Sequence, residues 1–293
     1  MDPALVPLVL AALALLLAGP VPALLARATG LRRTPRAAMM LWQSVALAAV
    51  LAALGSGLSL VTVLVLAEEP GPSAWVLAAV SLGLTGLVGG RLLLSGHRVG
   101  VGVRSLRRRH RALVDVLAER REGVSVIGHE VPVAYCLPGL LGARVVLSEG
   151  AVARLSPAEL EAVLTHERAH LRARHDLVLE AFGVLHRAFP RYVSSAAALR
   201  EVTLLVEVLA DAAAVRRTGP APLLRALAAL AGSRTPEAAL GAGAGIVARV
   251  AAIEDPGAGW SGVARATFLY LASVAVLLLP TLLVVRPWVL GLA

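Results

Sequence analysis

The sequence predicts a mainly α membrane protein, with four transmembrane helices carrying one cytoplasmic α+β domain. Three observations predict it. Hydrophobic residues make up 58% of the 293 positions and mean hydropathy is +0.78, more apolar than a wholly soluble chain tolerates. Four stretches stay apolar for about 20 residues, the length that crosses a bilayer. Almost all ionisable residues fall between the third stretch and the fourth. The expected organisation is a three-helix membrane region over residues 1–95, a cytoplasmic domain over 96–264, and a fourth helix with a short tail over 265–293.

The first stretch runs from Ala4 to Leu25. No basic residue precedes it, and Arg27, Arg32, Arg33 and Arg36 follow it. That order suits a retained helix with its N-terminus outside rather than a cleaved signal. The second runs from Leu41 to Ala67 and ends in the acidic loop Glu68-Glu69-Pro70-Gly71-Pro72. The third, Ala74 to Leu94, carries small residues at Gly86 and Gly90, a spacing that lets helices pack closely. It leads into Arg91, Arg98, Arg104 and Arg107-Arg108-Arg109. The fourth, Thr267 to Val285, follows Arg265. One topology places all these arginines on the cytoplasmic side of a cell membrane.

The net charge is +9, and every basic residue is Arg. Because the arginines cluster beside apolar segments, the charge is read as membrane topology, and no nucleic-acid partner is expected. The single cysteine, Cys136, excludes an internal disulfide. It is read as a small buried side chain, with no base nearby to activate the thiol.

Within the cytoplasmic segment, Arg104 to Arg121 reads as a basic helix. Val124 to Ile127, Pro132 to Cys136 and Arg144 to Leu147 read as strands of a small antiparallel sheet, with a turn at Pro138-Gly139. The remainder reads as helical. Gly241 to Gly245 is expected to be a flexible loop and Ser233-Arg234-Thr235-Pro236 an exposed one; whether the chain cuts itself is not legible.

Ser156-Pro157-Ala158-Glu159 is a helix start: a capping Ser, Pro at the first position, and Glu placed to close a capping box. The helix it opens contains His166-Glu-Arg-Ala-His170. Residues four apart share a helix face, so both imidazoles reach one ion, and Glu167 reaches a water beside it. Zn²⁺ needs this set: two neutral imidazoles, a third ligand and an open position. Glu167 is then the catalytic base.

The third ligand must come from elsewhere. The helix near Val202 to Val215 is apolar except for Glu207 and Asp211, four apart on one face. Carboxylates in such a helix are costly to bury unless paired or bound to metal. Glu207 is therefore chosen as ligand, and Asp211 as acceptor from a ligand histidine. His175, Asp176, Glu180 and Glu201 stay open as alternatives, Asp176 more as a structural ion pair.

The run Leu155 to Asp176 resembles the BlaR/MecR-type membrane zinc metallopeptidases and is similar to their HtpX-type and CAAX-protease relatives. Val133-Ala-Tyr-Cys136, Arg144-Val-Val-Leu-Ser-Glu-Gly150 and Glu207-Val-Leu-Ala-Asp211 extend the similarity. The resemblance implies a gluzincin-type zinc peptidase domain with zinc on His166, His170 and Glu207. It also implies base catalysis by Glu167, orientation of a zinc histidine by Asp211, and pairing of the substrate backbone with Val133, Ala134, Tyr135 and Cys136, a sound way to hold a peptide extended. Only Arg286 to Ala293 follow the last helix, so an extracellular sensor domain, β-lactam sensing and a repressor substrate are not expected.

The function expected is a membrane-anchored zinc endopeptidase, acting on a cytoplasmic or juxtamembrane protein, in regulated signalling. The partners expected are a protein or peptide substrate and the lipid bilayer; oligomeric state is not legible. The alternative is a non-cleaving signalling protein that keeps the zinc fold, against which Glu167 argues. An intramembrane protease is disfavoured by Arg168, Arg172 and Arg174 beside the motif. A transporter is disfavoured by membrane helices nearly free of ionisable residues. Tyr135, His186, Arg191, Tyr192 and Arg200 are open as oxyanion stabilisers.

Overall fold

The computed structural model describes residues 3–66, 69–139, 142–190, 193, 195–230, 245–255 and 259–291. The loop Ser233 to Pro236 and residues 241–244 lie outside them. Among the described residues the chain is mostly helical, with one small sheet.

Four helical segments are long and apolar enough to cross a membrane: Val6–Arg27, Pro35–Val65, Pro72–Leu117 and Trp260–Val285. The first is two helices, α1 (Val6–Ala18) and α2 (Pro20–Arg27), separated at Gly19. Pro20 and Pro22 lack the amide a continuous helix needs. α3 (Pro35–Val65) is central and packs against α1, α4 (Pro72–Leu117) and α11 (Trp260–Gly291). Arg265 Nη1 donates to Gly30 O at 3.4 Å, tying the start of α11 to the loop between α2 and α3. The arginine-bearing ends of these helices therefore share one side.

The basic helix expected from Arg104 ends earlier than Arg121. α4 is unbroken only to Leu117, and Ala118–Arg121 forms strand β1. Glu122 and Gly123 both take positive φ, 49° and 79°. Paired left-handed residues make the turn whose twist suits a two-residue hairpin. That turn pairs β1 with β2 (Val124–Ile127), Arg121 opposite Val124.

β3 (Ala134–Leu137) and β4 (Arg144–Ser148) complete a sheet of order β1-β2-β4-β3. The sheet expected to be antiparallel is mixed, because β2 and β4 run parallel. The chain leaving β2 passes over the position of β4, forms β3 at the edge, and returns between them. Ser148, fully buried, fixes this return: its Oγ accepts from Val133 N at 2.8 Å and Ala151 N at 3.0 Å, and donates to Val131 O at 2.8 Å. Beside it, Gly150 N donates to His129 O at 3.0 Å, and a Cβ on Gly150 would run into the Glu130 carbonyl.

The rest is helical: α5 (Glu149–Arg154), α6 (Pro157–Arg172), α7 (His175–Ala188), α8 (Ser195–Thr218), α9 (Pro220–Ala229) and α10 (Ile246–Glu254). α6 has the expected capping box: Ser156 Oγ accepts from Glu159 N, and Glu159 Oε2 accepts from Ser156 N. Its inner face packs on the sheet through Val163 against Val145, Leu147 and Leu155. Each such side chain contributes roughly 1.5–3 kcal/mol over exposure to water. A second core joins the membrane helices to this layer. Ala38, Met39 and Trp42 of α3 pack with Phe182 of α7 and Val202, Leu205 and Val206 of α8. α8 thus stands on the end of a membrane helix and lies along α6.

Candidate metal centre

α6 and α8 bring together three side chains that could hold a metal ion, with one nitrogen or oxygen atom of each within 4.8 Å of the others. His166 and His170 project from one face of α6, and Glu207 faces them from α8. All three are buried, His170 and Glu207 at 1% exposure. The His166 and His170 Nε2 atoms are 3.1 Å apart. Glu207 Oε2 lies 3.5 Å from His166 Nε2, and Oε1 lies 3.4 Å from His170 Nε2. A tetrahedral zinc with N and O ligands at 2.0–2.1 Å holds them about 3.3 Å apart. The two nitrogens and the Glu207 carboxylate, one oxygen toward each imidazole, lie at spacings of that size. Neither Glu207 oxygen makes a hydrogen bond of good geometry, and only Oε2 has a cation nearby, Arg249 Nη1 at 3.1 Å, so Oε1 is left in a state costly for a buried carboxylate.

Each imidazole is held from behind. His166 Nδ1 is 2.9 Å from Asp211 Oδ1. His170 Nδ1 is 3.0 Å from His175 Nδ1. His175, one of the alternatives for third ligand, thus stands behind a ligand histidine rather than beside the triangle. Asp176 pairs with Arg107 at 3.3 Å and Arg174 at 3.2 Å, the structural role expected. Glu180 pairs with Arg107 at 2.6 Å, and Glu201 with Arg32 at 2.6 Å. None of these three carboxylates reaches the triangle.

The residue that sequence reasoning missed is Arg249 on α10. It is 5% exposed. Its Nε and Nη2 donate to Asp211 Oδ2 and Oδ1 at 2.7 and 2.6 Å, and its Nη1 lies 3.1 Å from Glu207 Oε2. A lone Arg amid Ile246-Val-Ala and Val250-Ala-Ala-Ile253 was the available signal. A buried cation in an apolar helix needs a buried anion.

The electrostatics follow from burial. Desolvation, helped by charge on His166, lowers His170 to about 3. Desolvation lowers His175 to about 4. Both are neutral near pH 7, the state that coordinates metal. Burial opposes charge on His166, but Asp211 and Glu207 outweigh it and raise it to about 10. Burial likewise opposes charge on Asp211, but Arg249 and His166 hold it at about 2. The pocket is built around positive charge that its carboxylates demand.

Glu167, 7% exposed, is raised to about 7 by burial and by Glu207, against the pull of His166. Its Oε2 is buried and unpaired. The fully buried Cys136 thiol lies close enough to its carboxylate to feel its charge. Burial first, then the Glu167 charge, pushes that thiol up and keeps it protonated.

Val133, Ala134, Tyr135 and Cys136 lie at or in β3, the edge strand beside α6. Three of their side chains point into the protein: Val133, Tyr135 and Cys136 are 5% exposed or less. Tyr135 Oη is 2.9 Å from His110 Nε2. His186 Nδ1 meets Ser195 Oγ at 3.1 Å. Arg200 is exposed, and Arg191 and Tyr192 lie outside the described residues.

Residues 124–255 match the profile of peptidase family M48. The matched segment starts at β2 and ends after α10, so it takes in the ligand triangle, Glu167 and Arg249. No curated protein and no solved structure matches the chain.

Proposed function

We propose that the chain is a membrane-anchored zinc endopeptidase, a reading supported by the match of residues 124–255 to peptidase family M48. The reading places His166, His170 and Glu207 as ligands and Glu167 as base. The convergence of two buried imidazoles and one buried carboxylate carries it: the two Nε2 atoms are 3.1 Å apart, and each faces one Glu207 oxygen at 3.5 or 3.4 Å.

Zinc, when bound, supplies Lewis acidity: it makes water a better acid and polarises a peptide carbonyl. The chain supplies the rest. His170 Nδ1–H donates to the neutral His175, which leaves Nε2 free to coordinate. Asp211 does the same for His166 and is itself held by Arg249. Glu167, poised near neutral pH, takes the proton of the attacking water and delivers it to the departing amine as the C–N bond breaks. Glu167 Oε2, buried and without a partner, is the oxygen free for that proton, with the Cys136 thiol beside the carboxylate. β3, with β4 on one side only among the described residues, offers its outer backbone edge to an extended substrate.

The arginine-bearing loops beside the membrane helices support a cytoplasmic peptidase domain, with a cytoplasmic or juxtamembrane protein as substrate. The test is metal content and cleavage of casein in detergent-purified protein. One equivalent of zinc in the wild type, lost in His166→Ala and Glu207→Ala, is expected. Chelator-sensitive cleavage absent from Glu167→Gln, with its zinc retained, completes the case. Protein that binds no zinc overturns the reading.

A further inference from the structure

A cavity of about 410 Å³, apolar over most of its wall but rimmed by arginines, lies between the start of α3, α8, α10 and α11. Four of its wall residues are arginines: Arg32, Arg33, Arg36 and Arg216. Two are matched by acids, Arg32 by Glu201 at 2.6 Å and Arg33 by Asp255 at 2.7 Å. Asp211, at the cavity floor, already has Arg249 and His166. Arg36 and Arg216, both exposed at the cavity rim, have no acidic partner among the described residues. The same wall holds the first turn of α3, whose N-cap residue Thr34 gives it no side-chain bond. Uncapped amides and the positive end of a long helix add to the two unmatched guanidiniums. Together they form a concave site for an oxyanion, with Arg forks that match phosphate geometry.

Its depth selects the source of that anion. Arg32 to Arg36 bridge two membrane-spanning helices, and Ala266 and Tyr270 in the wall belong to a third. The cavity therefore opens where spans leave the bilayer, the level of lipid phosphates and of interfacial Tyr. We propose that it is a binding site for a phosphate-bearing anion, supplied by the headgroup of an anionic phospholipid. Occupancy also braces α10. That helix presents Ala252 and Ile253 to the cavity, and Asp255 beyond its end pairs with Arg33. One turn earlier, its Arg249 grips Asp211 and faces Glu207. The headgroup site and the metal centre are thus the two faces of one short helix, and neither needs the other's chemistry to exist.

The experiment is lipid binding by the full chain in phosphatidylcholine nanodiscs, with and without phosphatidylglycerol. It is read by native mass spectrometry and by melting temperature. Wild type is expected to retain phosphatidylglycerol preferentially and to melt higher with it. Arg36→Gln with Arg216→Gln should weaken that retention by about tenfold per arginine removed, the worth of a charged hydrogen bond. Arg120→Gln with Arg121→Gln, on the exposed hairpin, should leave it unchanged. Arg36→Lys with Arg216→Lys, which keeps the charge, should bind measurably and rules out misfolding as the cause. Inorganic phosphate at millimolar concentration, added without the lipid, separates the sources. A phosphate-induced rise in melting temperature, abolished by the Gln pair, assigns the site to free phosphate. A rise with phosphatidylglycerol alone assigns it to the headgroup. Equal retention by wild type and the Gln pair, or no response to either anion, overturns the proposal.

Discussion

The Arg249 guanidinium grips the Asp211 carboxylate through two bonds, of 2.7 and 2.6 Å, while Asp211 Oδ1 also lies 2.9 Å from His166 Nδ1. One buried cation thus sets the carboxylate that sets a ligand imidazole. Arg249→Met leaves Asp211 and Glu207 buried without their partner. Breaking such a pair costs about 3–5 kcal/mol. The loss should fall hardest on the metal-free protein, because zinc restores positive charge to the pocket. The rise in melting temperature on adding zinc should therefore be larger in Arg249→Met than in wild type. Thermal melts with and without chelator check this.

Asp211→Asn keeps the size of the side chain and removes the charge that holds His166. Zinc affinity should fall by about 10–100-fold, the usual penalty for losing a partner behind a ligand. His175→Phe should act in the same direction through His170. Competition against a chromophoric chelator measures both.

Cys136→Ala removes the thiol beside Glu167 without touching a ligand. Zinc content should stay at wild-type level while cleavage slows by about threefold to tenfold, the worth of one hydrogen bond. Cys136→Ser, which keeps a donor of similar size, should recover part of the rate. Loss of zinc in the Ala variant would show that the thiol only fills space.

Gly150→Ala places a Cβ against the Glu130 carbonyl beside Gly150 N–His129 O. Both neighbours are backbone, so the strand return must shift. A loss of about 2 kcal/mol or more in unfolding free energy is expected. It should be larger than for Gly128→Ala, where a Cβ meets nothing.

The capping-box carboxylate of Glu159 is held below its ordinary pKa, chiefly by the Ser156 amide and then by Arg225. A depressed carboxylate stabilises the fold above its unfolded pKa and loses that contribution as pH falls through the folded value. Glu159→Gln should therefore flatten the acid limb of the stability curve and change little at neutral pH. Melting temperature followed from neutral to acid conditions checks it.

Much of the site is local and therefore legible in sequence. Ser156 and Glu159 are three apart, His166 and His170 four, Glu207 and Asp211 four. Each pair lies on one helix face whatever the rest of the chain does. What sequence did not show is non-local. Arg249 is 38 residues beyond Asp211, and nothing in its own helix says which anion it meets. His175 sits five residues past His170, close enough to be weighed as a ligand. Only the turn at Arg174, with φ of 50°, swings it behind the imidazole. The parallel pairing of β2 with β4 depends on a crossover through β3, which alternating apolar residues do not encode. The early end of α4 was set by the hairpin turn at Glu122-Gly123 rather than by the helix's own composition.

α4 is one continuous helix of 46 residues, about 69 Å of rod at the usual rise. A bilayer hides about 30 Å of that, so more than half of the rod stands outside, and its far end is welded to the sheet. Leu117 runs straight into β1, and His110 touches Tyr135 of β3 at 2.9 Å. Arg91, Ser95 and Arg107 tie the rod to α7 along the way, so a tilt moves both together. Tilting it by about 5°, as a thicker or thinner bilayer does, sweeps its outer end through about 3 Å. That is close to the spacing of neighbouring residues along a strand. The helix that spans the membrane is thus the same continuous rod that ends in the sheet whose edge strand lies beside α6.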